Sequence, residues 1–536
     1  MSTAKIPGQA PPQQRGVFTR ASSGLVRQVK TVDVMFYGWE QIGIAYIIFI
    51  VFAWQFYPGA NLALATLFAT VTGMLLAICY AFVSVVYPRS GGDYVAVSRA
   101  INPGLGMVLS MSLAFWQIFY IGVNGVFVPK YGLAPMLSTL GIQLHSSGLI
   151  SVATWLGGHW GLFTGGTFII VFFGLLQSRG LGTYFKWQRY SSYLAIAGLL
   201  FTILILILAA AGVFNFVHNF NSLAGPNAYQ HVLQAAKKAG DNLSPHFNLK
   251  ETAFFALWPA FSLWFAVLSI SFTGEVKDTQ RSQTIGMNAA IVTMGAAFVA
   301  LFWLYQVVFG SKFILASSML PASKFPLPAA PFVNLFTGIA GGSPVLTILT
   351  STWVIAILFF VGGTTLVYAS RTLLAWSLDG MGPRWFSEVS ERRHTPKWNI
   401  LFCCLFSEIF VFLYAFTNLI TTLGGFLGQC IPFMGISLTA ILLPATRKDD
   451  FEASSVAYRI GRIAVLSVVG VASLIGVAFV FWRLLVDDNY GANGALSLWS
   501  TAGIFVIGWI WYGVYRVVQR RRGVDMNLRF SEIPVE

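Results

Sequence analysis

Charge is what this chain has least of. Asp, Glu, Lys and Arg make up 10 % of its 536 residues, where a soluble protein carries about 25 %. That deficit excludes a single soluble core, and it also excludes a disordered chain. Cysteine is scarce too. Cys79, Cys403, Cys404 and Cys430 all lie in apolar runs, so neither a disulfide framework nor a Cys/His metal spacing is present. The six histidines, from His145 to His394, fall in predicted loops, and no metal or cofactor site is expected. A phosphate-binding loop of Gly-x4-Gly-Lys-Ser/Thr type is missing, which argues against direct ATP drive. No signal peptide is visible. The alternation of a membrane barrel is also missing, which leaves helices as the way to satisfy the backbone in lipid.

What is there is apolar. Hydrophobic residues make up 56 % of the chain and the mean hydropathy is +0.71. At about 20 residues per spanning helix plus connections, the length suits about a dozen spans. Spans 1 to 6 are expected at residues 36–56, 62–87, 104–129, 163–179, 190–214 and 252–272. Spans 7 to 12 are expected at 285–309, 345–370, 399–417, 421–443, 460–482 and 497–518. With the N-terminus inside, 26 of the 33 Lys and Arg residues fall on the inner side and seven on the outer. The positive-inside rule then places both termini in the cytoplasm. It also accounts for the net charge of +14 without nucleic acid. The outer loop 215–250 contains an amphipathic stretch, Tyr229 to Ala239, readable as a surface helix or as a gate.

Of 19 acidic residues, only Glu40 and Glu408 lie well within expected spans, and no Lys or Arg does. A buried ionisable group costs about 2.5–3.5 kcal/mol or more at the bilayer centre, so each is a candidate for coupling. Glu40 is only about four residues into span 1, roughly 6 Å at 1.5 Å per residue, so contact with inner water is an open alternative. Glu408 is also readable as a hydrogen-bonded carboxyl. Helix breakers flank Glu40 as Gly38 and Gly43, and span 6 carries Trp258-Pro259-Ala260-Phe261. Broken helices at corresponding positions of two halves point to a midplane binding site. In span 3, Gln117, Tyr120 and Asn124 share a helical face; in span 6, Trp258, Ser262 and Phe265 do.

Four segments carry a resemblance. Leu25-Val26-Arg27 with Asp33 leads into span 1. Pro88-Arg89-Ser90-Gly91-Gly92-Asp93-Tyr94 with Ser98-Arg99 follows span 2. Gly274-Glu275-Val276-Lys277-Asp278-Thr279-Gln280-Arg281 follows span 6. Arg371 to Gly380, with Pro383-Arg384-Trp385-Phe386 and Thr395-Pro396, follows span 8. Together they resemble amino acid permeases of the amino acid–polyamine–organocation superfamily. The resemblance implies an all-α membrane protein of about 12 helices, with a LeuT-like inverted repeat of five plus five and two additional helices. The expected organisation is a disordered tail (1–32), a ten-helix core (33–445, repeats 33–217 and 251–445), two further helices (446–518) and a second tail (519–536).

On that resemblance, substrate binds between spans 1 and 6. The candidates are Glu40, Gln41, Gly43, Ile44, Tyr120, Trp258, Ser262 and Phe265. Arg89, Asp93, Glu275 and Arg281 are candidates for an inner gate of weak solvated pairs, or for simple anchoring. Departures from the family pattern are plain. The span 1 glycine motifs become Gly38-Trp39-Glu40 and Ile44-Ala45-Tyr46, and Tyr80-Ala81-Phe82 lacks the usual acid. Phe255-Ala256-Leu257 lacks the glycine of the span 6 motif, which leaves the break either at Pro259 or near Ser262 to Ala266. Lys186 falls before the expected span 5. The expected function is secondary active transport of an amino acid or related amine across the cell membrane by alternating access, with a proton or sodium ion as partner. A polyamine or other organic-cation transporter and a non-transporting sensor are the alternatives. An intramembrane enzyme finds no support in the residues.

Overall fold

The computed structural model describes residues 24–43, 45–321 and 324–531. Ile44, one of the candidate substrate residues, and residues 1–23 and 532–536 of the expected tails lie outside the described residues. The chain is 79 % helical. Twelve helical stretches are long and apolar enough to cross a membrane. Spans 1 to 6 are Thr31–Phe56, Leu62–Val86, Pro103–Gln143, His159–Ser178, Leu181–Ala210 and Leu249–Ser271. Spans 7 to 12 are Thr279–Met319, Pro344–Leu378, Lys397–Phe416, Gly425–Thr446, Val465–Val486 and Ala495–Arg521.

Local chemistry fixes where these helices start. Asn61 accepts the N–H of Leu64 at 3.0 Å to open span 2. Asn102 accepts the N–H groups of Gly104 and Leu105, with Pro103 in the first helical position, to open span 3. Spans 3 and 7 have 41 residues each. At about 1.5 Å per residue each would measure about 60 Å, twice the ~30 Å hydrocarbon layer, so both continue beyond it. A π-helical turn interrupts each, at Val128–Leu133 and Gln306–Gly310.

Several helices extend past their expected ends, because charged residues near an interface do not stop a helix. Span 5 begins at Leu181 and so includes Lys186, which is exposed, and Arg189. Span 8 continues to Leu378 and span 11 to Val486, which places Arg371 and Arg483 inside helices and buries both. The expectation that no cation lies in a span is corrected accordingly. Of the histidines expected in loops, His159 opens span 4, and His218 and His231 lie on the helices Phe216–Ala224 and Ala228–Lys238. The second of these is the amphipathic stretch. Tyr229 on it stacks on Phe313 with ring centroids 4.4 Å apart.

Spans 1, 3 and 6 lie at the centre: 87 %, 89 % and 83 % of their most apolar stretches are buried, against 22 % for span 12. Span 2 packs along span 7, and span 3 along span 8. Span 11 lies against spans 2 and 10, and span 12 against span 3. Part of each expected tail is structured. Gln28 and Val29 donate their N–H groups to the carbonyl of Glu275, at 2.9 and 3.0 Å. At the other end, the helix Met526–Ser531 buries Phe530 beneath the guanidinium of Arg99.

Candidate functional site

Span 1 breaks where a residue leaves right-handed helical space. Gly43 has φ of +63°, a conformation that glycine adopts without a steric penalty. An α-helix, Thr31–Ile42, precedes it and another, Ala45–Ala53, follows. Glu40 is therefore about ten residues into its helix, roughly 15 Å at 1.5 Å per residue, and it is 0 % exposed. The reading that it reaches inner water is corrected: the helix starts five residues earlier than expected. Gly38 lets this half-helix approach its neighbours, since a Cβ there would lie 2.7 Å from Cβ of Ala290.

Span 6 bends and then unwinds. Pro259 has no N–H, so the carbonyl of Phe255 loses its helical partner, and the helix changes at Ala256. From Trp264 to Ser271 the chain is a 3-10 helix. Eight residues is a long run for that form. Both positions left open by the sequence are thus irregular. The two broken spans are joined directly: Ser262 donates its hydroxyl to the carbonyl of Ile42 at 2.7 Å. That carbonyl lies next to the break, where the helical ladder ends.

Side chains before the span 1 break fan out to the surrounding spans. Tyr37 donates to the carbonyl of Thr364 in span 8 at 3.0 Å, and Trp39 to the Thr293 hydroxyl in span 7 at 2.7 Å. Glu40 Oε1 accepts the Ser192 hydroxyl in span 5 at 2.8 Å. Gln41 donates to Gln117 in span 3 at 3.0 Å. Among the described residues, Glu40 Oε2 has no hydrogen-bond donor, and neither amide atom of buried Gln188 has a partner. Gln188 is one turn before Ser192 on span 5.

Above the breaks, on the side opposite the Lys- and Arg-rich loops, is a cavity of about 640 Å³, within the roughly 300–1,000 Å³ of small-molecule sites. Its wall is aromatic: Phe49 after the span 1 break, Tyr120 and Tyr131 from span 3, Trp258 and Phe261 from span 6, and Tyr490. Among the described residues, no charged side chain lines it. Phe265 stands next to it, its ring centroid 5.6 Å from that of Phe261.

Below the breaks, buried ion pairs knit the basic side together. Arg371 of span 8 meets Glu275 at 3.0 Å with both side chains 0 % exposed. Arg99 holds Asp379 through two bonds of 2.6 and 2.8 Å. Arg189 of span 5, half-buried, meets buried Asp33 of span 1 at 2.5 Å. Tyr368 donates its hydroxyl to Asp93 at 2.5 Å. Burial pushes the Asp93 carboxyl up to about 6, against the pull of the Tyr368 hydrogen bond. The loop after span 2 is pinned here as well, with the N–H of Gly91 on the carbonyl of Ser271 at 2.6 Å.

The segments that meet in this layer are those that follow spans 2, 6 and 8. A family model of amino acid permeases matches residues 10–510. The chain belongs to the amino acid permease family. No curated protein matches it. It is a multi-pass membrane protein of a transporter family.

The permease brings some of the expected residues together and separates others. Tyr120 and Trp258 line the cavity. Glu40, Gln41, Gly43 and Ser262 gather at the breaks, behind that lining. Arg89, Asp93, Glu275 and Arg281 do not pair with one another. Asp93 and Glu275 bond to span 8, Arg89 donates to the carbonyl of Pro88 at 3.0 Å, and Arg281 is exposed. Nor are the contacts of Asp93 and Glu275 weak and solvated, because span 8 extends far enough to bury Tyr368 and Arg371 against them. Glu408 is remote from the breaks, where Thr167 of span 4 donates a hydroxyl to it. Among the described residues, no group of three or more His, Cys, Asp or Glu could hold a metal ion.

Sequence reasoning did not select Phe49, Tyr131 or Tyr490. Phe49 is one of several aromatics in its helix, and Tyr131 follows Lys130 in the π-helical turn, outside the periodic part of span 3. Tyr490 lies in Asp487-Asp488-Asn489-Tyr490-Gly491, a loop with no periodicity and beyond the resembling segments.

Proposed function

We propose that this permease moves a neutral amino acid with a bulky apolar side chain inward across the cell membrane by alternating access. The observation that carries this reading is the arrangement of one cavity. It is aromatic, no charged side chain among the described residues lines it, it lies on the outer side of the joined breaks of spans 1 and 6, and buried ion pairs close the far side. Backbone groups freed at the breaks hold the amino and carboxylate groups of the substrate. The wall takes the side chain. A polyamine is disfavoured, because among the described residues no carboxylate lines the cavity to meet its cations. The Lys- and Arg-rich face is cytoplasmic, with both termini, by the positive-inside rule. Repeats 33–217 and 251–445 form the moving halves, with the breaks at corresponding positions.

Glu40 couples transport to a proton or another small cation. It stands behind the break, away from the cavity wall, with one carboxyl oxygen unpartnered and the uncommitted amide of Gln188 close along span 5. No Lys or Arg pairs with it among the described residues. A buried carboxylate with no cation beside it is costly, so a bound proton or ion there changes the balance between states.

The test is uptake into proteoliposomes of a radiolabelled amino acid panel, with polyamines beside it, with and without inward proton or sodium gradients. The expected result is saturable uptake of large neutral amino acids. Gradient stimulation should vanish in Glu40→Gln while equilibrium binding persists. Stimulation unchanged by Glu40→Gln removes the coupling role, and uptake of polyamines alone overturns the substrate class.

A further inference from the structure

Spans 11 and 12 lie outside the ten helices that contain the breaks, yet the connection between them forms part of the cavity wall. Asp487 opens that connection and is 3 % exposed. It pairs with Arg483 at 2.8 Å, accepts the Tyr57 hydroxyl from just beyond span 1, and accepts the N–H of Asn489 at 3.0 Å. Arg483 in turn lies 3.3 Å from the ring centroid of Phe254 in span 6. At the far end, Ser497 of span 12 accepts the N–H of Gly424 at 2.8 Å and donates to the carbonyl of Thr422 at 3.0 Å. Both ends of the connection are therefore fastened to the helices around the cavity. Between them the ring of Tyr490 lies 4.8 Å from Trp258 and 6.1 Å from Phe261.

Trp258 lies one turn before Ser262, the residue that bonds to the span 1 break. Tyr490 thus stands beside the route from the open side of the cavity to the breaks. We infer that Tyr490 is a specificity-determining residue, which completes an aromatic collar with Trp258 and Phe261 and selects for substrates with large apolar side chains. This rests on the cavity being the entry route for an amino acid. An aromatic face gives a flat or branched side chain contact beyond simple burial, and gives a methyl group little. Selectivity is the difference between those two contacts. Because the loop is already bonded in place, its ordering does not have to be supplied by the substrate.

The experiment is uptake of radiolabelled phenylalanine, leucine and alanine by the full-length protein in proteoliposomes. Wild type is compared with Tyr490→Phe, Tyr490→Leu and Tyr490→Ala, each checked for a monodisperse profile. Tyr490→Phe should keep the wild-type ratio of KM values. Tyr490→Ala should raise KM for phenylalanine by about five- to tenfold, the size of a lost aromatic pair, with kcat unchanged and alanine moved by less than about twofold. Tyr490→Leu keeps an apolar side chain there without a ring and should shift the ratio in the same direction, which keeps the test open if the alanine variant does not fold. An unchanged phenylalanine-to-alanine ratio in the leucine variant, with normal wild-type uptake, overturns the role of Tyr490 alone. Wild-type protein that takes up none of the three overturns the entry route and this inference with it.

Discussion

Asp93 and Glu40 are both buried carboxyls that accept one hydroxyl, from Tyr368 and Ser192 respectively. For Asp93, burial raises the native carboxyl from 3.8 to about 6. The folded protein then binds more protons than the unfolded chain across that window. Stability from this group is fully present below the unfolded value and is lost as pH rises through about 6. Thermal unfolding of the purified permease should therefore show a fall in Tm between about pH 4 and 6 that is shallower in Asp93→Asn; equal slopes would remove Asp93 from the pH response. The presence of Glu40 was legible in the sequence, since acids within apolar runs are rare enough to stand out. Its direction was not. Facing span 5 depends on where the helix begins, and Lys30 and Thr31 give no strong start signal. Tyr490 left no trace either, because its role follows from a long-range approach to Trp258 and not from its neighbours.

Elements were read well where hydropathy alone decides them, and poorly at their ends. Hydropathy places all twelve spans in the right order, while charge read as a boundary puts Arg371, Lys186 and Arg483 in loops. The helix continued because those side chains found partners or the interface. The loop after span 2 shows the opposite case, in which a local signal is reliable. Gly91 has φ of +65°, and a Cβ there would lie 2.3 Å from Cβ of Ala375. Both the backbone and the contact demand glycine. Gly91→Ala should destabilise the protein by about 1–3 kcal/mol, seen as a lower Tm, combining the left-handed strain with overpacking. Gly461, at φ +60° with nothing within 4 Å, is the control: alanine there should cost about 1 kcal/mol or less.

At the scale of the whole molecule, the resembling segments were legible as motifs, but their assembly into one buried layer was not, because the pairs run between segments about 100 residues or more apart. Glu275 and Arg371 make the clearest case. Arg371→Leu removes the cation that Glu275 meets while its carboxylate stays buried, and should cost about 3–5 kcal/mol. The double variant Glu275→Leu with Arg371→Leu should recover much of that loss, since it removes both charges. Tm values of the two variants check this, and a double variant no better than the single would show that the pair's worth lies in packing. The 3-10 run of span 6 ends four residues before Glu275. That form rises about 2.0 Å per residue against 1.5 Å for the α-helix. Rewinding its eight residues would shorten the span by about 4 Å. Span 6 thus holds a reserve of length, and releasing it would draw Glu275 along the helix axis by more than the length of its bond to Arg371, so that a change of helical pitch at the midplane becomes a stroke at the membrane face.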